Sequence, residues 1–289
     1  MPQSSPFLHN GAPSARTNPN LGGTMSLFDL AGRVAIVTGG SQGLGRGIAH
    51  ALAEAGADVV VIARLPEAVT QGSERPHAAV DGVVEELRAK GRRALGVTAD
   101  VREEDQVNDF VEKALAEFGR IDILVNNAGG SWGESFTKGP ILEIGSHDMI
   151  EAYRLNVVST FLCSRAVAPA MFKQGKGAIV NIASITGQGP CPGQSSYGAA
   201  KAGVISLTQT MASEWAPAIR VNAVAPSLVE TPHRAKGGGG DVEATMLSTT
   251  PLARIGTVEE HSAAVAFLAS DAAGYVSGTV LDVNGGRGA

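Results

Sequence analysis

The sequence predicts an α/β fold, a single doubly wound (Rossmann-type) domain with a seven-stranded parallel sheet flanked by helices. Three observations predict it. Short apolar runs rich in β-branched residues alternate with helical patterns along most of the chain, as parallel strands with crossover helices require. Apolar residues make up 44% of the 289 positions, which is enough for a large core. No linker interrupts the alternation, so we expect one domain at residues 25–289.

The elements follow in a regular order. A strand at 33–38 ends in a glycine cluster, a helix covers 45–55, and a second strand covers 59–62. A β-turn-α-β unit of about thirty residues implies a parallel pair with a crossover helix. Further helices are predicted at 83–90, 103–118, 146–174, 197–215 and 258–269. Further strands are predicted at 94–97, 121–125, 178–182, 220–224 and 279–283.

Three segments fall outside this alternation. Residues 1–24 are rich in Pro, Ser, Asn and Gly and lack the basic start and apolar stretch of a signal peptide, so we expect a disordered tail. The segments 65–80 and 231–250 are long for loops, and the second contains four consecutive glycines at 237–240. A loop of that length in a compact domain is typical of a lid or a binding loop, and a surface loop without function is the alternative.

Composition excludes several classes of partner. The 23 basic and 28 acidic side chains give a net charge of −5, which lacks the footprint of a general nucleic-acid binder. Cys163 and Cys191 form neither a disulfide framework nor a metal-ligand set, which predicts free thiols in a reducing, cytoplasmic compartment. No apolar run indicates a membrane span. We therefore expect no metal, no nucleic acid and no membrane partner.

The turn between the first strand and the first helix is a candidate phosphate site. Its glycines have the spacing Gly-xxx-Gly-x-Gly, which allows a tight turn and a close backbone approach to a pyrophosphate. The N-terminus of the following helix attracts an anion, although a glycine-rich turn without a ligand is the alternative. The candidate cofactor-binding residues of this turn are Gly39, Ser41, Gln42, Gly43, Leu44 and Gly45.

The end of the second strand predicts which nicotinamide cofactor is preferred. An acidic residue there would hydrogen-bond a ribose 2′-hydroxyl and repel a 2′-phosphate, but the position is Ala63 and Arg64 follows. A guanidinium suits a phosphate monoester, so we predict that NADP(H) is preferred and that NAD(H) remains possible. Gln42 adds no second cation in the glycine turn, and Arg64 as a solvated surface charge is the alternative.

Four polar residues form a candidate catalytic set. Tyr197 and Lys201 lie at i and i+4 on one helix face, and an ammonium beside a phenol is expected to lower the pKa of the phenol. Ser184 follows a predicted strand, at the sheet edge where doubly wound folds bind ligands, and could polarise a carbonyl oxygen. Asn156 lies inside a predicted helix, where asparagine is unfavourable, which indicates a specific role for its side chain.

Together these motifs resemble the short-chain dehydrogenase/reductase family, with its ketoreductase-like and hydroxysteroid or sugar dehydrogenase-like members closest. The resemblance covers residues 27–286. It implies further cofactor contacts at Asn127, Ala128 and Gly129, and an adenine-binding pair at Asp100 and Val101. It also implies a nicotinamide-binding segment that contains Pro226, Ser227, Val229 and Thr231, in which Ser227 departs from the usual glycine.

The resemblance implies an NAD(P)(H)-dependent oxidoreductase that interconverts a ketone and a secondary alcohol. Tyr197 would be the acid/base, Lys201 would lower its pKa and hold the nicotinamide ribose, Ser184 would orient the substrate oxygen, and Asn156 would hold a water. A homotetramer is implied, with helices 150–171 and 199–216 at one interface. The sequence favours a neutral substrate, and the alternatives are a non-catalytic cofactor-binding sensor and a lyase or epimerase on the same fold.

Overall fold

The structure is a computed structural model that describes residues 28–64, 78–130, 136–231 and 247–287. Short runs of mostly apolar residues form seven strands, which pair only in parallel in the order β3-β2-β1-β4-β5-β6-β7. The strands are β1 (Val34–Thr38), β2 (Asp58–Ala63), β3 (Ala94–Thr98), β4 (Ile123–Asn126), β5 (Gly177–Ile182), β6 (Ile219–Pro226) and β7 (Val280–Val283). The predicted seven-stranded doubly wound sheet is confirmed.

Seven α-helices connect and cover the strands in the described part of the chain. They are α1 (Gly43–Glu54), α2 (Ala78–Ala89), α3 (Glu104–Phe118), α4 (Ser146–Tyr153), α5 (Ser159–Gln174), α6 (Ser195–Glu214) and α7 (Val258–Ala269). One apolar layer packs α1, α2 and α7 on the sheet through residues such as Leu52, Leu87 and Leu268. The opposite layer packs α3, α5 and α6 through residues such as Phe110 and Met171. Burial of each large apolar side chain contributes about 2 kcal/mol, so both layers stabilise the sheet.

The predicted helix at 146–174 is interrupted. A π-helical turn, Arg154–Val158, joins α4 to α5, because polar side chains hydrogen-bond the carbonyls of the preceding turn. Asn156 Nδ2 donates to the Ala152 carbonyl at 2.9 Å, and Ser159 Oγ donates to the Leu155 carbonyl at 2.5 Å. The sequence pattern detected the asparagine but not the change of helix type.

Length and composition alone would allow the stretch Ser146–Gln174 to cross a membrane, which the sequence analysis did not expect. However, 56% of its apolar window is buried inside the domain, and its second half packs under the sheet. These are the properties of a core helix, so this stretch is weak evidence for a membrane span.

The sheet order fixes where a ligand can bind. The strand order reverses between β1 and β4, and in open parallel sheets ligands bind at such a switch point, beyond the carboxyl ends of the strands. The glycine turn follows β1, Asn127 follows β4, and Ser184 follows β5 at this same edge. The fold therefore brings the predicted motifs to one edge of the sheet.

Candidate active site

The glycine turn after β1 leaves no room for a Cβ atom at Gly39 or Gly45. Gly39 and Gly43 have φ angles of +64° and +51°, in the left-handed region that favours glycine. A Cβ atom on Gly45 would lie 2.1 Å from the Gly39 carbonyl oxygen and 2.4 Å from Asn127 Nδ2. The turn therefore depends on glycine at these positions, as the spacing predicts.

Thr38 and Asn127 hold this turn against the end of β4. The Thr38 hydroxyl accepts the backbone N–H groups of Asn127 and Ala128, each at 3.0 Å. Asn127 Nδ2 donates to the carbonyls of Thr38 and Gly39 at 3.0 and 3.2 Å. The side chain of Asn127 thus holds the turn in place, and the Thr38 hydroxyl has a role that the sequence did not predict.

The N-terminus of α1 fits an anionic group. Among the described residues, no side chain caps this helix and none in its first turn is acidic, so its N–H groups and dipole can interact with a phosphate. Thr231 approaches the turn, because a Cβ on Gly43 would lie 3.7 Å from its methyl group. Ser41 is half-buried and Gln42 is exposed in the turn, whereas Leu44 packs against the core beneath it.

The ends of β2 and β3 carry charged side chains next to each other. Ala63 is buried at the end of β2, and Arg64 Nε lies 3.9 Å from Asp100 Oδ2. Arg102 donates three side-chain hydrogen bonds to the same carboxylate, the shortest at 2.5 Å. Burial raises the pKa of Asp100, but the hydrogen bonds from Arg102 outweigh it and hold the pKa below its usual value. Val101 is buried in the core.

Asn156 is buried and hydrogen-bonds the backbone of Gly130, in the segment after β4. Its Oδ1 accepts the Gly130 N–H at 3.1 Å, and its Nδ2 donates to the Gly130 carbonyl at 3.1 Å. A Cβ on Gly129 would lie 2.6 Å from Asn156 Oδ1 and 3.6 Å from Lys201 Nζ. Since Nδ2 also donates to Ala152, both amide protons are used within the protein. The amide positions Gly130, and the water-holding role remains a prediction.

Ser184 lies just beyond β5 with its proton available for donation. Its Oγ accepts the Thr186 N–H at 3.2 Å and the Thr186 hydroxyl at 2.9 Å, so Thr186 occupies its acceptor sites. Ser184 lies close enough to Tyr197 to act on its phenol, in the direction that lowers the pKa of Tyr197. The structure therefore brings the predicted serine and tyrosine into contact, with Thr186 as an orienting residue that the sequence analysis missed.

Tyr197 is half-buried near the start of α6. Burial raises its pKa to about 12, the nearby Ser184 acts in the opposite direction, and the nearby Cys191 adds to the rise. The sequence predicted that Lys201 would lower this pKa below about 10. That direction is wrong for the protein without bound cofactor, because burial of the phenol has the largest effect on its pKa. The phenol is therefore protonated at neutral pH, as a proton donor must be.

Lys201 is buried one helical turn beyond Tyr197, with 4% of its surface exposed. Its Nζ donates a 2.6 Å hydrogen bond to the Ile182 carbonyl and lies 5.7 Å from the centre of the Tyr197 ring. Burial lowers the pKa of Lys201 to about 7, so the ammonium is only partly populated near neutral pH.

The segment after β6 is fixed by backbone contacts. Gly256 N–H donates to the Leu228 carbonyl at 3.2 Å, and Glu230 N–H donates to the Gly256 carbonyl at 2.9 Å, so that Val229 forms a bridge with Gly256. Pro226 ends β6, and the Ser227 Oγ is buried without a hydrogen-bond partner among the described residues. Ser227 therefore replaces glycine without preventing an ordered path for this segment.

Most of the segment at 231–250, which the sequence predicts to be a lid or a binding loop, lies outside the described residues. Among the described residues, Gln188 Nε2 donates to Asp282 Oδ1 at 2.7 Å and ties the turn after β5 to β7. Cys163 and Cys191 are free thiols, and the described residues contain no cluster suited to a metal.

The chain matches proteins of one family over nearly its whole length. A family model described as enoyl-(acyl carrier protein) reductase matches residues 39–287. A cis-4-hydroxycyclohexanecarboxylate dehydrogenase from Sinomonas cyclohexanicum is 42% identical over 258 residues, 89% of this chain and 97% of that protein. A 3-oxoacyl-[acyl-carrier-protein] reductase from Synechocystis is 39% identical over 260 residues, 89% and 97% of the two chains.

A solved structure gives the same result. The 7α-hydroxysteroid dehydrogenase complexed with NADH and 7-oxo glycochenodeoxycholic acid superposes with a TM-score of 0.81 at 34% identity. The match covers 90% of this chain and 96% of that chain.

Proposed function

The chain belongs to the short-chain dehydrogenase/reductase family, and we propose that within it Tyr197, Ser184 and Lys201 carry the reaction with NADP(H) as the preferred cofactor. The protein is an NAD(P)-dependent oxidoreductase that acts on the CH–OH group of its donor, interconverting a carbonyl and an alcohol. The observation that carries the residue assignment is the contact of Ser184 with Tyr197, with Lys201 buried behind the tyrosine ring.

The glycine turn after β1, the N-terminus of α1 and the Gly129 backbone provide a cradle that fits a dinucleotide, because added Cβ atoms would fill it. The nicotinamide, when bound, supplies or accepts the hydride. Tyr197 then donates its proton to the carbonyl oxygen in reduction and accepts the alcohol proton in oxidation. Ser184 donates a hydrogen bond to the same oxygen and holds it against the phenol.

Lys201 supports this exchange from its buried position. Its pKa of about 7 allows the amine to take up and release a proton near neutral pH, and its 2.6 Å hydrogen bond to Ile182 fixes its distance from the tyrosine. Asn156 positions the Gly129–Gly130 backbone beside this amine. The positions proposed to contact the cofactor elsewhere are Gly39, Ser41, Gln42, Gly43, Leu44, Gly45, Ala63, Arg64, Asp100, Val101, Asn127, Ala128, Pro226, Ser227, Val229 and Thr231.

The preference for NADP(H) follows from the charge at the end of β2. Ala63 supplies no carboxylate to repel a 2′-phosphate, and the Arg64 guanidinium follows it. An Arg64→Asp variant should prefer NADH over NADPH when the two dissociation constants are measured by fluorescence titration. Unchanged selectivity in that variant would refute the assignment, and Arg88→Asp, on the exposed end of α2, is the matched control.

A carboxylate-bearing alcohol or ketone is favoured over the neutral substrate that the sequence indicated. Burial raises the pKa of Cys191 beside Tyr197, while the positive charges of Arg287 and Lys138 act to lower it, which supports a cationic environment on the Cys191 side of the site. Arg287 Nη1 is buried without a hydrogen-bond partner among the described residues. The related hydroxycyclohexanecarboxylate dehydrogenase carries such a substrate in its name.

An exposed apolar face supports a proposal for the oligomeric state of the protein. Exposed apolar side chains line α4 and the start of α5, with Ile150 62%, Tyr153 50% and Phe161 41% exposed, and they support a homotetramer in which this face is covered. The relatives and the free thiols support a cytoplasmic enzyme with a small-molecule substrate and no nucleic-acid or membrane partner.

A balance of reduced cofactor tests the reaction against its alternatives. Stoichiometric loss of NADPH with product formation supports the oxidoreductase, whereas product formation without net cofactor change would indicate a lyase or epimerase. Tight NADPH binding without any turnover, across carbonyl substrates with and without a carboxylate, would favour the sensor.

A further inference from the structure

The acidic residue at the end of β3 faces the arginine proposed to select the cofactor. Strands β2 and β3 are neighbours, with Ala63 in register with Thr98, so Arg64 and Asp100 extend from adjacent strand ends. Arg64 Nε lies 3.9 Å from Asp100 Oδ2. A bare carboxylate at this place would repel a 2′-phosphate and attract the Arg64 guanidinium, and both effects oppose binding of NADP(H).

Arg102 neutralises this carboxylate. Its Nε lies 2.9 and 3.1 Å from the two Asp100 oxygens, its Nη2 lies 2.5 Å from Oδ2, and its backbone N–H donates to Oδ1 at 3.0 Å. Only 17% of the Arg102 side chain and 16% of the Asp100 side chain are exposed, so solvent screens this pair weakly.

Neighbouring groups hold the pair in place. The Gln106 side chain accepts the Asp100 backbone N–H at 2.8 Å, and Glu151 Oε2 lies 3.9 Å from Arg102 Nη1. The Asp100 carboxylate therefore binds Arg102 through short, two-pronged hydrogen bonds, whereas its contact with Arg64 is longer. This difference in geometry sets which arginine Asp100 engages.

We propose that Arg102 is a positioning residue for cofactor selectivity: by neutralising Asp100 it prevents that carboxylate from drawing in Arg64 and from repelling the 2′-phosphate of NADP(H). The inference rests on the proposed preference for NADP(H). It differs from direct phosphate binding by Arg102, because its effect requires Asp100.

Fluorescence titration of the full chain with NADPH and NADH tests this without a known substrate. In Arg102→Gln, the dissociation constant for NADPH should rise about tenfold, which corresponds to about 1.4 kcal/mol, while that for NADH changes less than twofold. In the double variant Asp100→Asn/Arg102→Gln, the ratio of the two constants should return towards the wild-type value. Arg120→Gln is the matched control, because Arg120 makes a similar two-pronged contact with Asp122 at the opposite end of the sheet.

The outcomes separate the two proposals. A wild-type protein that does not prefer NADPH overturns the proposed cofactor and this inference with it. A wild-type preference that persists in Arg102→Gln overturns the inference alone. A loss of preference that the double variant fails to restore also overturns it, because Arg102 would then act on the phosphate directly. Circular dichroism spectra and unfolding midpoints of all variants identify any misfolded protein, and Arg102→Met, which keeps an apolar stem of similar length but loses the charge, then replaces Arg102→Gln.

Discussion

The Nζ atom of Lys201 lies 5.7 Å from the centre of the Tyr197 ring and donates a 2.6 Å hydrogen bond to the carbonyl of Ile182. Ile182 ends the strand that leads to Ser184, so one hydrogen bond ties the lysine to the serine's strand. The relative positions of the three proposed catalytic side chains are therefore set by β5 and α6, two rigid elements, rather than by loops.

Lys201 should make stability depend on pH. Its pKa is lowered to about 7 in the folded protein, so between that value and about 10.5 the unfolded chain binds a proton that the native protein does not. The free energy of unfolding should therefore rise with pH in this window, by about 2–3 kcal/mol relative to a Lys201→Met variant. Urea unfolding of both proteins at about pH 7 and about pH 9.5 measures this, and parallel pH dependences would contradict the buried amine.

Ser184→Ala should lower kcat by about a hundredfold or more, because the serine is proposed to donate its one hydroxyl proton to the reacting oxygen. Thr186→Val should have a smaller effect in the same direction, since Thr186 only orients the Ser184 hydroxyl through its own hydroxyl at 2.9 Å. Cofactor affinity should change little in either variant. Steady-state kinetics measure this, and equal losses in both variants would argue against the orienting role.

Gly45→Ala should abolish cofactor binding and destabilise the fold by about 2–3 kcal/mol, because the new Cβ would lie 2.1 Å from the Gly39 carbonyl oxygen. Gly82→Ala, on the exposed face of α2, is the matched control, because no atom lies within 4 Å of its added Cβ. The control should raise stability by about 0.5–1 kcal/mol. Thermal unfolding and NADPH titration compare the two, and normal NADPH affinity in Gly45→Ala would exclude this turn as the phosphate site.

Ile150→Glu should dissociate the proposed tetramer, because it places a charge in the exposed apolar face of α4 and α5. Ala89→Glu, at the exposed end of α2, adds the same charge elsewhere and should leave the assembly unchanged. Light scattering at micromolar concentration measures the mass of each protein. A monomeric wild-type protein would contradict the proposed tetramer.

Much of this arrangement could be predicted from the sequence, because it depends on local pattern. Alternating apolar runs and helical periods predicted the sheet, and the spacing of Gly39, Gly43 and Gly45 predicted a tight turn after the first strand. The order of Ser184, Tyr197 and Lys201 predicted their meeting, since the carboxyl ends of parallel strands share one edge.

Features set by tertiary contacts could not be predicted this way. The contact between Asn156 and Gly130 joins residues 26 positions apart in the sequence, so no local pattern indicates it. The Arg102–Asp100 pair depends on how the chain turns after β3, and the Thr38 contacts depend on the register of β1 with β4. The pKa of Tyr197 was predicted in the wrong direction because the sequence shows the neighbouring lysine but not the burial of the phenol.

Turnover by the Tyr197→Phe variant shows whether Tyr197 is the proton donor. Oxidation of NADPH would be followed by absorbance with a panel of ketones, keto acids, sugars and steroid carbonyls, for the wild type, Tyr197→Phe and the control Tyr275→Phe, whose ring is fully exposed. We predict turnover with one substrate class in the wild type and the control, and a loss of at least about a thousandfold in Tyr197→Phe with NADPH binding retained. Turnover in Tyr197→Phe at the wild-type rate would show that Tyr197 is not the acid/base of the reaction.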